Sequence, residues 1–311
     1  MRALVVSNML PDAAHPERGR FVRDQVSALR LLDGLDVELY EFAPGARSLA
    51  RAAGALGRRR GSTPFDVVHA HFGLTAWPAL ATPARIRALT LHGTDLAHPR
   101  TRLATLAVLP GIDLLATVSD GLRAALPARA AARALVLPCG VDLQRFRPIE
   151  RARARAELGL EPGGPYLLFP ADPARPEKRH ELALALAGAA GAKLLTLGHV
   201  APEQVPLWVN AANAVIVPSE REGFGLAVLE ALACDVPVLA TPVGIHPQAL
   251  ESVAGTLCAA WDAAAWMAAL QPHLQASDPR VAGRAGAERF SSARMARAVA
   301  DAWAQAVGRS G

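Results

Sequence analysis

Cysteine and aromatic residues are both scarce in this sequence of 311 residues. The three cysteines, Cys139, Cys234 and Cys258, are odd in number and widely separated, and they show no metal-ligand spacing. This usage argues against a disulfide scaffold and suits a reducing cytoplasm. Aromatic residues make up only 5% of the chain, so its basic side chains are not interleaved with rings as in proteins that stack nucleic-acid bases. We therefore expect no nucleic-acid partner.

Long apolar segments are missing as well. No run reaches the roughly eighteen uncharged apolar residues that a membrane-spanning helix needs. The opening stretch MRALVVSNMLPD meets Pro11 and Asp12 too early for a signal peptide, and we interpret it as a first buried strand. The expected location is the cytoplasm.

Charges of both signs are present, with a modest basic excess. Lys and Arg number 33 against 28 Asp and Glu, which gives a formal charge of +5. Arginines concentrate at Arg58–Arg60 and in the helix-like stretch from Arg145 to Leu158. We interpret them mainly as a solvated face. A weak peripheral contact with the cytoplasmic face of a membrane, or with a phosphorylated substrate, is also compatible with this excess.

Short apolar runs alternate with alanine-rich helical stretches along almost the whole chain. The runs are hydrophobic throughout, which is typical of parallel strands covered on both faces. Helical stretches such as Phe21–Leu32 and Glu177–Ala189 complete β-α units, so the pattern predicts an α/β protein with doubly wound parallel sheets. The predicted strands are Arg2–Val6, Val37–Phe42, Asp66–His71, Arg87–Leu91, Asp113–Val118, Tyr166–Phe169, Ala192–Leu197, Ala214–Val217 and Val236–Ala240.

The apolar periodicity lapses between about Asp142 and Pro165. We therefore predict two Rossmann-like domains, over residues 1–145 and 160–290, facing each other across a cleft. A final helix, at about residues 291–311, is expected to pack back on the first domain.

The stretch PSEREGFGLAVLEALACDVPVLATPVG, which begins at Pro218, carries the clearest chemistry. Its Gly-Phe-Gly loop follows a predicted strand and opens a predicted helix, Leu226–Ala233. Free amides and the positive dipole end at such a helix start form a phosphate site. Glu222 and Glu230 lie on either side of the loop, and carboxylates accept hydrogen bonds from sugar hydroxyls. The stretch therefore predicts a nucleotide-sugar site.

This stretch resembles the donor-binding signature of the retaining glycosyltransferases of family 4, which have the GT-B fold. Four further stretches, DVVHAHFG, LTLHGTDL, DLLATVSDGLRAAL and LPCGVDLQRFRP, resemble other segments of that family, although Cys139 replaces a usual Asn. The resemblance covers nearly the whole chain. It implies a GT-B architecture with an acceptor-binding first domain and a donor-binding second domain.

The resemblance also implies roles for single residues. In the family pattern the first glutamate, Glu222, reaches the donor sugar and the second, Glu230, holds the ribose hydroxyls. The residues expected along the diphosphate are Gly223, Phe224, Gly225 and Leu226. His92, at a strand end, is expected beside the reacting sugar, although a lone histidine there is often structural.

Other expected contacts come from loops at the same edges of the sheets. His71, Asp95 and Arg20 are placed on the acceptor side, and His69 is assigned to packing. Arg20 stands where the family usually has the second of two glycines. The expected donor contacts from these loops are Gly19, Arg175, Lys178, His199 and Val200.

Two departures from the family pattern concern the donor domain. The usual basic pair is represented by Lys178, whereas the arginine position falls near Asp172, so Arg175 or Arg179 is expected to supply the second cation. One β-α unit is also missing after LLTLG, which leaves His199 and Val200 to build the base pocket.

The resulting prediction is a retaining hexosyltransferase that uses a UDP- or GDP-sugar and requires neither a metal nor another cofactor. Its acceptor is a saccharide, a lipid-linked compound or a natural product. Front-side attack assisted by the leaving phosphate is the mechanism that the resemblance implies. A non-catalytic sugar-nucleotide-binding protein and a GT-B-related sugar-nucleotide epimerase remain alternatives.

Overall fold

The structure, a computed structural model, describes residues 1–61, 63–198 and 200–309, without the side chains at 60 and 61. The chain divides into two compact units. The first unit comprises residues 1–140 together with the segment from Ser292 onward, and the second comprises Val141–Ser291. In the part of the chain that the structure describes, no helix is both long and apolar enough to cross a membrane.

The first unit is built on a six-stranded parallel sheet with the strand order β2-β1-β3-β4-β5-β6. Alternate residues along each strand face opposite sides, and both sides of the inner strands are covered, so these strands are mostly buried, whereas the edge strand Asp36–Glu41 retains three carboxylates and is mostly half-buried. The prediction of doubly wound parallel sheets is confirmed. The strands are β1 (Arg2–Ser7), β2 (Asp36–Glu41), β3 (Phe65–His71), β4 (Ala84–Leu91), β5 (Leu114–Thr117) and β6 (Leu135–Val136).

Among the described residues of the first unit, seven helices lie before Gly140. Two of them begin at recognisable signals: the Ser119 hydroxyl accepts a hydrogen bond from the Leu122 amide, and Pro99 occupies the first position of its helix. The helices are α1 (Arg20–Leu29), α2 (Ala46–Gly57), α3 (Gly73–Leu80), α4 (Thr94–Ala97), α5 (Pro99–Val108), α6 (Asp120–Ala124) and α7 (Ala128–Arg133).

The second unit repeats this plan with five parallel strands in the order β11-β10-β9-β7-β8. Its strands are β7 (Tyr166–Phe169), β8 (Lys193–Thr196), β9 (Ala214–Val217), β10 (Val238–Ala240) and β11 (Leu257–Cys258). Its helices are α8 (Arg151–Glu157), α9 (His180–Ala189), α10 (Val205–Ala211), α11 (Leu226–Ala233), α12 (His246–Leu250), α13 (Ala263–Gln275) and α14 (Arg284–Ala287).

The last helix, α15 (Ser292–Arg309), belongs to the first unit. Met295, Val299 and Trp303 recur at helical spacing, are buried, and pack against the same side of the first sheet as α1. Trp303 is fully buried there.

The stretch from Arg145 to Leu158 differs from its prediction in two ways. It is helical only over Arg151–Glu157, and its arginines do not all form a solvated face: Arg151 and Arg155 are 2% and 4% exposed. Arg155 donates to the Ala211 carbonyl and to Asn213 Oδ1, and its guanidinium lies over the Tyr166 ring. Arginine tolerates such burial because backbone and amide oxygens accept from its planar fork of donors.

Candidate active site

In the second unit, the loop between β9 and α11, together with α11 itself, carries six of the eleven predicted donor contacts. Gly225 has φ 106°, and a Cβ at this residue would lie 2.5 Å from His246 Nε2. Only glycine fits both constraints. Gly225 has no side chain that could cap α11, so no side chain accepts from the first backbone amides of that helix, and these amides point towards the loop. The predicted start of this helix at Leu226 is confirmed.

Lys178 and Glu222 form a close ion pair beside this loop. Lys178 Nζ lies 2.6 Å from both carboxylate oxygens of Glu222, and the Ser219 hydroxyl donates to Oε1 at 2.8 Å. The Lys178 and Glu222 side chains are only 12% and 9% exposed. Lys178 ends a 3-10 turn after β7, and the Glu220 amide, which donates to the Glu177 carbonyl, ties that turn to the Glu222 loop.

His246 was not selected from the sequence, although it lies only two residues beyond the glutamate stretch. It is fully buried, its Nδ1 lies 2.9 Å from the Thr241 carbonyl, and its Nε2 has no hydrogen-bond partner among the described residues. A carbonyl can only accept, so Nδ1 carries the proton and Nε2 is bare. Burial lowers the pKa of His246, which keeps the ring neutral at the Gly225 loop.

The turn after β10 packs against the same loop. Gly244 has φ 57°, and a Cβ there would lie 2.3 Å from the Phe224 carbonyl oxygen. The Ile245 amide donates to that oxygen at 2.8 Å. The Phe224 ring is buried edge-on to Phe290, so only the Phe224 backbone remains for a ligand.

The remaining predicted donor residues differ in their surroundings. Glu230 and Leu226 are half-buried, lie four residues apart on α11 and therefore share a face. Gly223 and Val200 are also half-buried. His199 lies outside the described residues.

Arg175 is half exposed and pairs with Glu177 at 2.7 Å. Arg179 adopts a left-handed conformation with φ 56°, and α9 begins after it, later than predicted. Among the described residues, no group of three His, Cys, Asp or Glu side chains is placed to hold a metal ion.

In the first unit, Gly19 and Arg20 lie at the start of α1. Gly19 has φ 70°, and a Cβ there would lie 2.4 Å from the Met9 carbonyl oxygen. Glycine is therefore required where the long loop after β1 meets the helix. Arg20 Nε donates to Asp24 Oδ1 at 2.9 Å along the helix.

Three imidazoles are stacked at the carboxyl ends of β3 and β4. His69 and His71 lie on one face of β3 with ring centroids 4.7 Å apart, and His92 follows β4 with its centroid 5.1 Å from that of His71. His71 Nδ1 lies 2.9 Å from His92 Nε2. His69 and His71 are buried, whereas His92 is partly exposed.

These imidazoles are held neutral. Burial lowers the pKa of His69 and of His92 to about 3, and it lowers that of His71 well below its usual value. A charged His69 would also repel a charge on His71 or His92, and a charged His92 would repel one on His71, which lowers the pKa values of these two rings further. Hydrogen bonds of the site therefore come from neutral rings with one N–H each.

Asp95 joins the two turns that carry His71 and His92. Its Oδ1 accepts from the Gly73 amide at 2.6 Å and its Oδ2 from the His92 amide at 2.7 Å. Asp95 is 4% exposed, and burial raises its pKa while backbone hydrogen bonds act in the opposite direction. The Asp95 carboxylate thus stabilises the backbone of both turns by accepting one hydrogen bond from each.

Phe72 is a second residue that sequence reasoning missed. It has φ 74° and ψ 142°, a backbone conformation that is essentially restricted to glycine. Its ring lies 4.8 Å from His92, and Phe21 lies at the same distance from His92. No local sequence pattern marks this residue.

Two family models match the chain. The model described as Glycosyltransferase Family 4 matches residues 5–145, and the model described as Glycosyl transferases group 1 matches residues 171–276. A D-inositol 3-phosphate glycosyltransferase of Segniliparus rotundus is 35% identical over 195 residues, which are 50% of this chain and 43% of that relative. The enzyme of the same name from Frankia alni is 31% identical over an alignment of 332 residues, covering 86% of this chain and 80% of the relative.

Solved structures show the same fold over almost the full length. Sucrose-phosphate synthase from Thermosynechococcus elongatus has a TM-score of 0.74 at 21% identity, covering 98% of this chain and 99% of its own. Anabaena Alr3699/HepE in complex with UDP-glucose has a TM-score of 0.70 at 15% identity, covering 98% and 100%. The chain therefore belongs to glycosyltransferase family 4 and is a glycosyltransferase with the GT-B fold.

Proposed function

We propose that this glycosyltransferase transfers a hexosyl group from a nucleoside-diphosphate sugar, a UDP- or GDP-sugar, to a hydroxyl acceptor with retention of configuration. One observation carries the proposal: the uncapped start of α11 opens beside the buried Lys178–Glu222 pair. A helix N-terminus and a lysine together favour a diphosphate, and a carboxylate beside them favours sugar hydroxyls. The UDP-glucose complex of the Anabaena neighbour supports this donor class.

In this proposal the donor lies along the α11 loop. Its diphosphate contacts the backbone from Gly223 to Leu226, Glu230 accepts from the ribose hydroxyls, and Glu222 accepts from a hydroxyl of the sugar. The Lys178 ammonium turns from Glu222 towards the diphosphate. Arg175 is a less direct contact, because it is exposed and already paired with Glu177.

The proposed reaction exchanges two bonds at the anomeric carbon. The bond to the diphosphate oxygen breaks, the bond to the acceptor oxygen forms on the same face, and the acceptor proton passes to the leaving phosphate. Lys178 and the α11 N-terminus stabilise the developing negative charge in the role that a divalent cation plays elsewhere, so we propose that no metal is required. In the first unit, His92 lies beside the reacting sugar, and Gly19, Arg20 and Asp95 shape the acceptor side.

The test is calorimetric titration of UDP, GDP, ADP and TDP into the wild-type protein, Glu230→Gln and Glu157→Gln. Glu157 is an exposed helical glutamate paired with Arg153, so its variant is the matched control. We expect one nucleotide to bind, Glu230→Gln to weaken it roughly 10- to 100-fold, and Glu157→Gln to leave its affinity unchanged. Equal affinity of Glu230→Gln and the wild type would contradict the donor site.

Incubation with the matching sugar nucleotide separates the alternatives. Slow release of free sugar, or transfer to an added acceptor, supports a transferase. Formation of an epimeric sugar nucleotide supports an epimerase. Binding without any turnover across acceptors supports a non-catalytic sugar-nucleotide-binding protein.

A further inference from the structure

We propose that His71 is a positioning residue that fixes the tautomer of His92, so that His92 presents its Nδ1–H as a hydrogen-bond donor to a substrate oxygen. The proposal rests on the proposed function in one respect, the location of His92 beside the reacting sugar. The tautomer itself follows from hydrogen bonds within the first unit.

His69, the ring at the buried end of the stack, shows how these tautomers are determined. Trp303 Nε1 lies 3.2 Å from His69 Nδ1, and an indole nitrogen can only donate. His69 Nδ1 is therefore the bare nitrogen. The ring is neutral, so its proton is on Nε2, which donates to the Thr90 hydroxyl at 2.8 Å.

The pair formed by His71 and His92 has two possible arrangements. In the first, His71 Nδ1–H donates to His92 Nε2, and the proton of His92 is on Nδ1. In the second, His92 Nε2–H donates to His71 Nδ1, and the proton of His71 is on Nε2. The two arrangements place opposite groups, a donor or an acceptor, at His92 Nδ1.

The surroundings of His71 Nε2 decide between them. This atom is buried and has no hydrogen-bond partner among the described residues. The second arrangement would leave a buried N–H without an acceptor, which is rare and costly in native proteins. The first leaves only a bare nitrogen there. His71 therefore donates, and His92 carries its proton on Nδ1.

The orientation of the His92 ring is fixed as well. Its ring contacts Phe21 and Phe72, both with centroids 4.8 Å away, and its backbone amide donates to Asp95. His92 is partly exposed, its Nδ1 has no hydrogen-bond partner among the described residues, and this atom is not one of the buried atoms left without a partner. A donor at Nδ1 can stabilise a substrate oxygen but cannot remove a proton from it. His92 is thus assigned hydrogen bonding rather than general base catalysis.

The test is nitrogen NMR of the protein labelled with ¹⁵N-histidine, in which protonated and bare imidazole nitrogens give separate signals. Signals are assigned from the variants His71→Asn and His92→Asn. We expect wild-type His71 and His92 both to be protonated on Nδ1, and His69 on Nε2. A His92 protonated on Nε2 in the wild-type protein overturns the proposal. This measurement needs no ligand, so its result is independent of the proposed donor chemistry.

Variants then test positioning by His71. Asn places an amide donor near the former Nδ1, whereas Leu offers none. We expect His71→Leu to lower kcat roughly tenfold with nucleotide affinity unchanged, and His71→Asn to restore most of that loss. His69→Gln alters an equally buried ring and should leave the His92 tautomer unchanged. Equal kcat in His71→Leu and the wild type overturns the proposal. If His71→Leu does not fold, failure of the folded His71→Asn variant to keep His92 protonated on Nδ1 overturns it.

Discussion

At the scale of single residues, two glycines and one ion pair define the candidate donor loop. Gly225 and Gly244 both have positive φ angles. A Cβ at either residue would also collide with a neighbour, His246 Nε2 at Gly225 and the Phe224 carbonyl oxygen at Gly244. The Lys178–Glu222 pair is nearly buried, so each charge depends on the other for compensation. The loop is thus built from residues whose replacement carries a defined physical cost.

Replacement of Gly225 by Ala should disturb both the backbone and His246. The methyl group would lie 2.5 Å from the buried Nε2 of His246. In addition, the φ angle of 106° at this position is one that alanine avoids. We expect a loss of about 1–3 kcal/mol in the free energy of unfolding, together with weaker nucleotide binding. Denaturant unfolding and calorimetry measure the two effects.

The control is Gly188→Ala, within α9, where a Cβ meets nothing within 4 Å. That change should be neutral or stabilising by up to about 1 kcal/mol. Equal stability of both variants would contradict the close contact at Gly225.

Removal of the Lys178 charge should leave Glu222 uncompensated. Loss of one partner from a buried pair costs about 3–5 kcal/mol, whereas neutralising both partners costs less. We therefore expect Lys178→Met to be less stable than Lys178→Met combined with Glu222→Gln. A double-mutant cycle by denaturant unfolding measures the coupling, and additive effects would show that the two charges do not interact.

At the scale of elements, the site of the first unit depends on how the turns after β3 and β4 are joined. Asp95 accepts a backbone hydrogen bond from each turn, and the His71–His92 contact runs parallel to that connection. Phe72, strained at the end of β3, turns its ring onto His92. The ends of two neighbouring strands therefore act as one structural element.

Asp95→Asn tests this connection. The amide has one acceptor oxygen, so one of the two backbone N–H groups, that of Gly73 or that of His92, would face an NH₂ group. We expect the free energy of unfolding to fall by about 1–3 kcal/mol.

Asp113→Asn is the matched control, because Asp113 accepts from the Arg87 amide through Oδ2 and Asn retains one such acceptor. Its effect should be within about 0.5 kcal/mol. Comparable losses from both substitutions would argue against a double acceptor role for Asp95.

At the scale of the whole molecule, each unit contains a buried neutral histidine. His69 lies in the first unit with a pKa of about 3, and His246 lies in the second with a lowered pKa, in both cases through burial. In the unfolded chain a histidine takes up a proton near pH 6.5. Unfolding therefore binds protons below that pH, and both units lose stability as the pH falls.

The expected pH dependence has a definite sign. Between pH 6.5 and pH 5 the His69 contribution alone should lower the free energy of unfolding by about 2 kcal/mol, with little change between pH 7 and pH 8. Urea unfolding at a series of pH values measures this slope. His69→Gln should flatten it, and an unchanged slope in that variant would show that His69 does not titrate on unfolding.

The parallel α/β architecture and the glutamate loop were readable from local sequence. Strands buried on both faces need continuous apolar residues, and a loop that approaches a phosphate needs glycine, so both leave local patterns. The two-residue strands β6 and β11 were missed because so short a run has no periodicity.

Other features were decided only by tertiary structure. The burial of Arg155, the contact of His246 with Gly225 and the tautomer of His92 each depend on partners distant in the chain, such as Asn213 for Arg155. Sequence alone therefore determined which chemical groups the protein possesses and on which strands and loops they lie. Folding decided their protonation, pairing and strain, because these depend on burial and on neighbours that only the packed chain brings together.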